Sequence, residues 1–148
     1  MRAPQRQKRQ GQKLHKVRHL QEQVAHASVR SAQQNVDVCQ QAVANRKEAL
    51  QQMERSFNAQ ARHGVSAQTF MRHQQMRALH TDAVIMAQKN EHRAQIEAKE
   101  RQHDWDQAVH QRRVAERYLE LAQERWAEAS RRNEQKRTDD ANCARAAR

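Results

Sequence analysis

Between Gly11 and the C-terminus the chain has one glycine, Gly64, and no proline. Glycine and proline are the residues that most reliably interrupt a helix, costing about 1 and 3 kcal/mol in its interior, and a globular domain of this length needs many turns. Almost nothing here can stop a helix except the run Arg62-His63-Gly64-Val65-Ser66. The expected fold is therefore all-α: two long helices in an antiparallel coiled-coil hairpin with its turn at Gly64.

Composition leads to the same reading. Of 148 residues 36% are hydrophobic and only 3% aromatic, and mean hydropathy is −1.26, so the chain can bury a thin seam but not a thick core. Disordered chains share high charge and few aromatics, yet they are rich in Pro, Ser and Gly. This chain favours Ala, Gln, Arg and Glu, which are good helix formers.

The formal charge of +11 is placed unevenly. Residues 1–20 carry seven Lys or Arg and no acid, whereas the remaining 21 basic and 17 acidic residues nearly balance. Pairs such as Glu97/Arg101 and Glu128/Arg132 have the supportive i,i+4 spacing of a solvated helix face. No apolar run approaches the roughly 18 residues of a transmembrane helix, and no apolar core of a signal peptide follows the basic start. The expectation is a soluble, intracellular protein, and two cysteines, Cys39 and Cys143, without metal or disulfide spacing agree with a reducing compartment.

Heptads organise both arms. Val29, Val36, Val43, Leu50 and Phe57 recur every seven residues, with Ala32, Cys39, Arg46, Met53 and Gln60 three places later, an a/d stripe over five repeats. Upstream, Leu14, Val17, Leu20 and Val24 form a stripe in another phase, which implies a stutter near residues 25–28. After Ser66, a suitable N-cap, the second arm carries Phe70, Met76, Leu79, Ala83 and Met86 and then a polar stretch. A second register follows through Trp105, Ala108, Arg112, Ala115, Leu119, Ala122, Trp126 and Ala129. Folding at Gly64 would pair Phe57 with Phe70, Leu50 with Leu79 and Val43 with Met86.

These signals divide the chain into a flexible basic tail (1–12), helix 1 (13–62), a turn (63–66), helix 2 (67–137) and a flexible tail (138–148). The second helix then overhangs the first. Its stripe of Tyr118, Leu119, Ala122 and Trp126 would lack an intramolecular partner, as binding surfaces often do.

Enzymatic motifs do not emerge. No phosphate-cradling loop, nucleophile motif or His/Cys cluster is present, and no catalytic, cofactor-binding or metal residue is assigned. His15, His19 and Glu22 share a helical face, but a scattered set of surface histidines accounts for them more simply. The basic start could neutralise nucleic-acid phosphates. The interrupted stripe, poor in leucine, weighs against a basic zipper, leaving a basic coiled-coil nucleic-acid-binding protein or a generic coiled-coil scaffold as alternative readings.

The residues around the turn, Gly64-Val65-Ser66, Phe70 and Gln74-Gln75-Met76, resemble the turn region of the flagellar export protein FliJ and its type III secretion counterpart YscO. The segment Arg131-Arg132-Asn133-Glu134-Gln135-Lys136-Arg137-Thr138-Asp139-Asp140 is similar to the charged C-terminal stretch of that family. The resemblance implies a non-enzymatic central stalk, or coupling protein, of a type III secretion apparatus. Its partners would be a hexameric secretion ATPase, an export-gate membrane protein and secretion chaperones, with no small-molecule substrate or cofactor. It would work in the cytoplasm, peripheral to the membrane-embedded apparatus. The ATPase would be met by Tyr118, Leu119, Ala122 and Trp126, and the gate by Phe70, Met76, Leu79 and Ala83. A monomeric hairpin is expected, although the same heptads could support an intermolecular bundle.

Overall fold

A computed structural model describes residues 2–146 and shows an all-α hairpin of two helices, α1 (Arg2–Ala61) and α2 (Ala67–Ala146). Gly64 makes the turn with φ of 88°, a left-handed conformation that costs other residues about 1–2 kcal/mol. His63 and Gly64 donate their backbone N–H groups to the carbonyls of Gln60 and Ala61, tying off the last carbonyls of α1. Ser66 caps α2: its Oγ accepts the N–H of Thr69 at 3.1 Å, and its carbonyl accepts the N–H of Phe70.

The helix bounds differ from those read in the sequence. Residues 2–12, expected as a tail, belong to α1, and α2 continues past Arg137 to Ala146; residues 1, 147 and 148 lie outside the described chain. Pro4 is compatible with this because it sits in the first turn, where its missing N–H has no intrahelical partner in any case. Gly11 is tolerated because it is buried, and a Cβ there would lie 3.2 Å from Cδ1 and 3.3 Å from Cα of Leu119. The lack of a side chain is what lets α1 approach α2 so closely.

Packing separates two units, residues 1–26 with 104–148 (the terminal unit) and residues 27–103 (the turn-side unit). In the turn-side unit the helices are antiparallel. Phe57 meets Phe70 with ring centroids 6.2 Å apart and stacks on His73 at 3.7 Å, while Glu54 pairs with Arg77 at 3.2 Å. The seam of this unit buries Ala32, Val36, Val43, Val84 and Ala94. Cys39, Leu50, Met53, His80, Ala87, Glu91 and Ala98 are half-buried along it. The α1 stripe from Val29 to Phe57 is therefore in the phase expected.

In α2 of this unit the phase is not the expected one. Leu79 is 63% and Met86 56% exposed, so neither faces Leu50 or Val43. The seam runs instead through His73, His80, Val84, Ala87, Glu91, Ala94 and Ala98. The polar stretch near residue 90 does not interrupt it. Small alanines admit α1, and Glu91 receives the amide of Gln95 at 3.0 Å.

The terminal unit is also antiparallel. His26 lies over Trp105 with centroids 5.5 Å apart, Arg18 reaches Gln111 at 2.6 Å, and the Lys8 ammonium sits 3.8 Å above the centre of the Trp126 ring. On α2 the register from Trp105 through Ala129 holds, with Ala115 and Ala122 fully in the seam. On α1 the inward residues are Lys8, Gly11, His15, Arg18, Glu22 and Ala25, which continue the phase of Val29 back through three heptads without a stutter. Leu14, Val17, Leu20 and Val24 face outward, Val24 being 72% exposed.

Candidate docking surfaces

Where a seam takes charged, histidine and alanine residues inside, the apolar residues outside it need an explanation. Both helices follow one heptad pattern, with Lys8, His15, Glu22, Val29, Val36, Val43, Leu50 and Phe57 at a in α1. In α2 the a residues are Phe70, Arg77, Val84, Glu91, Ala98, Trp105, Arg112, Leu119, Trp126 and Asn133. In an antiparallel pair the c and g positions of both helices border one side of the seam, and the b and e positions border the other. This assignment sorts the exposed apolar residues.

In the turn-side unit Val38, Met76, Leu79, Ala83 and Met86 all fall at c or g. They border two shallow grooves. One, of about 310 Å³, is lined by Val38, Cys39, Ala42, Arg46, Ala83, Met86, Ala87 and Asn90. The other, of about 270 Å³, is lined by Met53, Phe57, Thr69, Arg72, His73 and Met76 among others. The opposite flank exposes Met71 and Ile85 at b positions and is otherwise more polar. Its groove is lined by Gln33, Gln95, Lys99 and Gln102 beside the seam residues Val29, Val36 and Ala98.

The four residues assigned to gate binding are not all on one flank. Met76, Leu79 and Ala83 share the c/g flank, Ala83 being half-buried, and Phe70 is exposed at the a position nearest the turn, beside Phe57. The structure brings Met76, Leu79 and Ala83 to one side of the turn-side unit and leaves Phe70 at its turn end, off that flank.

The residues assigned to ATPase binding are not brought together on the surface. Ala122 is buried, Leu119 and Trp126 are half-buried seam residues covered by Gly11 and Lys8, and only Tyr118 is exposed. The stripe has an intramolecular partner after all, because α1 begins at Arg2 and reaches back over it. Exposed in its place on the c/g flank of this unit are Val114, Tyr118 and Leu121 of α2 with Leu14 and Val17 of α1. Of this set the sequence pattern singles out Tyr118 for binding, whereas it places Leu14 and Val17 in an apolar stripe of α1.

One charge in the terminal seam, that of Arg112, is met by carboxylates. Arg112 Nε lies 2.5 Å from Glu22 Oε2 and its Nη1 lies 3.0 Å from Glu116. Glu22 Oε2 is buried and makes no hydrogen bond of good geometry; the guanidinium meets it as a charge rather than as an aligned donor. Arg117, on the exposed surface, donates to Glu120 at 2.8 Å, and that bond raises its pKa above the ordinary guanidinium value.

Among the described residues no three His, Cys, Asp or Glu side chains are grouped to hold a metal. His15 and His19 stack on each other at 6.4 Å, and Glu22 is taken up by Arg112. Cys39 and Cys143 are free thiols, and Cys39 is half-buried at its d position. No helix among the described residues is long and apolar enough to cross a membrane. No family model, curated protein or solved structure matches the chain.

Proposed function

We propose that this protein is a non-enzymatic stalk, or coupling protein, of a type III secretion apparatus, acting in the cytoplasm beside the membrane-embedded machinery. One observation carries the reading. Two helices close a seam on each other and still leave large apolar side chains exposed, most of them at the c and g positions of each unit, an arrangement suited to seating other proteins. The resemblance of the turn and of residues 131–140 to FliJ and YscO supplies the identity of those proteins: a hexameric secretion ATPase, an export-gate membrane protein and secretion chaperones.

On this reading the ATPase is met by the exposed flank of the terminal unit, with Tyr118, Leu121, Val114, Leu14 and Val17. Leu119, Ala122 and Trp126 support that flank from within the seam. The gate or a chaperone is met at the turn-side unit, by Phe70, Met76, Leu79 and Ala83.

Co-purification of the full chain with the secretion ATPase of its own organism tests the assignment. The wild-type chain is expected to be retained, and Tyr118→Asp with Leu121→Asp, both outside the seam, to lower retention at least ten-fold. Equal retention of that variant, or no retention of the wild type, would count against it.

A further inference from the structure

The turn-side flank says more about its occupant than that it is apolar. From Asn35 to Ser56 the c and g positions of α1 are Asn35, Val38, Ala42, Asn45, Ala49, Gln52 and Ser56, without a charge. Across the seam α2 supplies Met76, Leu79, Ala83 and Met86, bracketed by Arg72 and Arg93. The result is a trough with one low uncharged wall and one apolar wall, and with an arginine at either end. Neither arginine, nor Arg46 on the groove between them, has an ion-pair partner among the described residues. No acidic residue occupies the c or g positions over this span of either helix.

We propose that this trough seats a third helix, contributed by another protein, apolar along one face and acidic at both ends. Arg72 and Arg93 are 21 positions apart in one continuous helix, about 32 Å at 1.5 Å per residue. An α-helix of roughly six turns spans that distance and lies along the seam, where its apolar stripe completes a three-helix bundle. The methionine wall accepts helices of differing shape, since an unbranched thioether repacks easily. The cations at either end select acidic ends and set the register by charge pairing.

A second copy of this chain is disfavoured by the same charges. Two copies meeting through this flank would bring Arg46, Arg72 and Arg93 of each toward those of the other, with no acid on the flank to offset them.

The proposal deepens the reading of the turn-side unit as a partner surface and rests on it; its test leaves the ATPase experiment, which uses the other unit, untouched. A fluorescent 21-residue helical peptide with a leucine stripe on one face and glutamates in its first and last turns is titrated against the full chain and followed by anisotropy. A matched peptide carries lysines at those ends. The glutamate peptide is expected to bind at least ten-fold tighter than the lysine peptide. Leu79→Asp with Met86→Asp should abolish binding, and Arg72→Glu with Arg93→Glu should invert the preference. All four positions lie outside the seam, and unchanged helical circular dichroism verifies the fold of each variant. Equal binding of the two peptides, no binding of either, or binding indifferent to Leu79 and Met86 would overturn the proposal. So would a dimer of the wild-type chain in sedimentation that Leu79→Asp dissolves, since a second copy would then be the occupant.

Discussion

At the scale of single residues, two glycines do opposite work. Gly64 is required for its backbone, with φ of 88° and nothing within 4 Å of where a Cβ would stand. Gly11 matters for its size, since a Cβ there would press on Leu119 at 3.2–3.3 Å. Gly64→Ala therefore meets no clash and should cost about 1–2 kcal/mol, the price of the left-handed region alone. Gly64→Asn, which tolerates that region better, should cost less. Urea midpoints of the two variants check the order. The role of Gly64 was legible in the sequence because a lone glycine in a long helix-forming run has few other uses. That of Gly11 was not, since a glycine beside seven cations and a proline looks like the edge of a tail, and only the approach of Leu119 shows it to be part of the seam.

At the scale of the element, each helix carries one unbroken heptad register where the apolar pattern alone suggested two. The reason is physical: in the terminal unit the seam of α1 is filled by Lys8, His15, Arg18 and Glu22, of which Lys8, Arg18 and Glu22 find partners in Trp126, Gln111 and Arg112, while the valines and leucines of the same stretch turn outward. An argument from apolar spacing follows the valines. In the stretch from Val29 to Phe57 apolar spacing and seam coincide. The turn-side half of α2 fails for the same reason in reverse, because alanine at residues 87, 94 and 98 gives a weak apolar signal yet allows close helix approach, and the conspicuous Met76, Leu79 and Met86 stand outside. The Glu22–Arg112 pair is the sharpest test of this polar seam. Glu22→Ala leaves Arg112 partly buried with only Glu116 beside it and should destabilise the chain by about 1–3 kcal/mol. Replacing both with leucine should recover that loss or exceed it, as apolar substitutes for ion pairs in seams commonly do. Thermal or urea midpoints of the single and double variants decide the matter, and a double variant less stable than Glu22→Ala would mean the pair is favourable in its own right.

For the molecule as a whole, the positions that conceal the register also indicate the function we propose. Charged and small residues inside the terminal unit, with large apolar residues left outside in both units, is a costly arrangement for a hairpin that binds nothing, and a natural one for a hairpin that docks. The fold class was legible from the scarcity of helix breakers; the residues we propose for docking were legible only in part, because apolar spacing alone does not tell which of two competing stripes faces the other helix. The most direct measurement is the hydrolysis rate of the hexameric secretion ATPase as the full chain is titrated into it. A coupling protein raises the rate several-fold and saturably, and Tyr118→Asp with Leu121→Asp removes the rise. A rate that stays flat at concentrations of chain well above those of the ATPase would contradict the account.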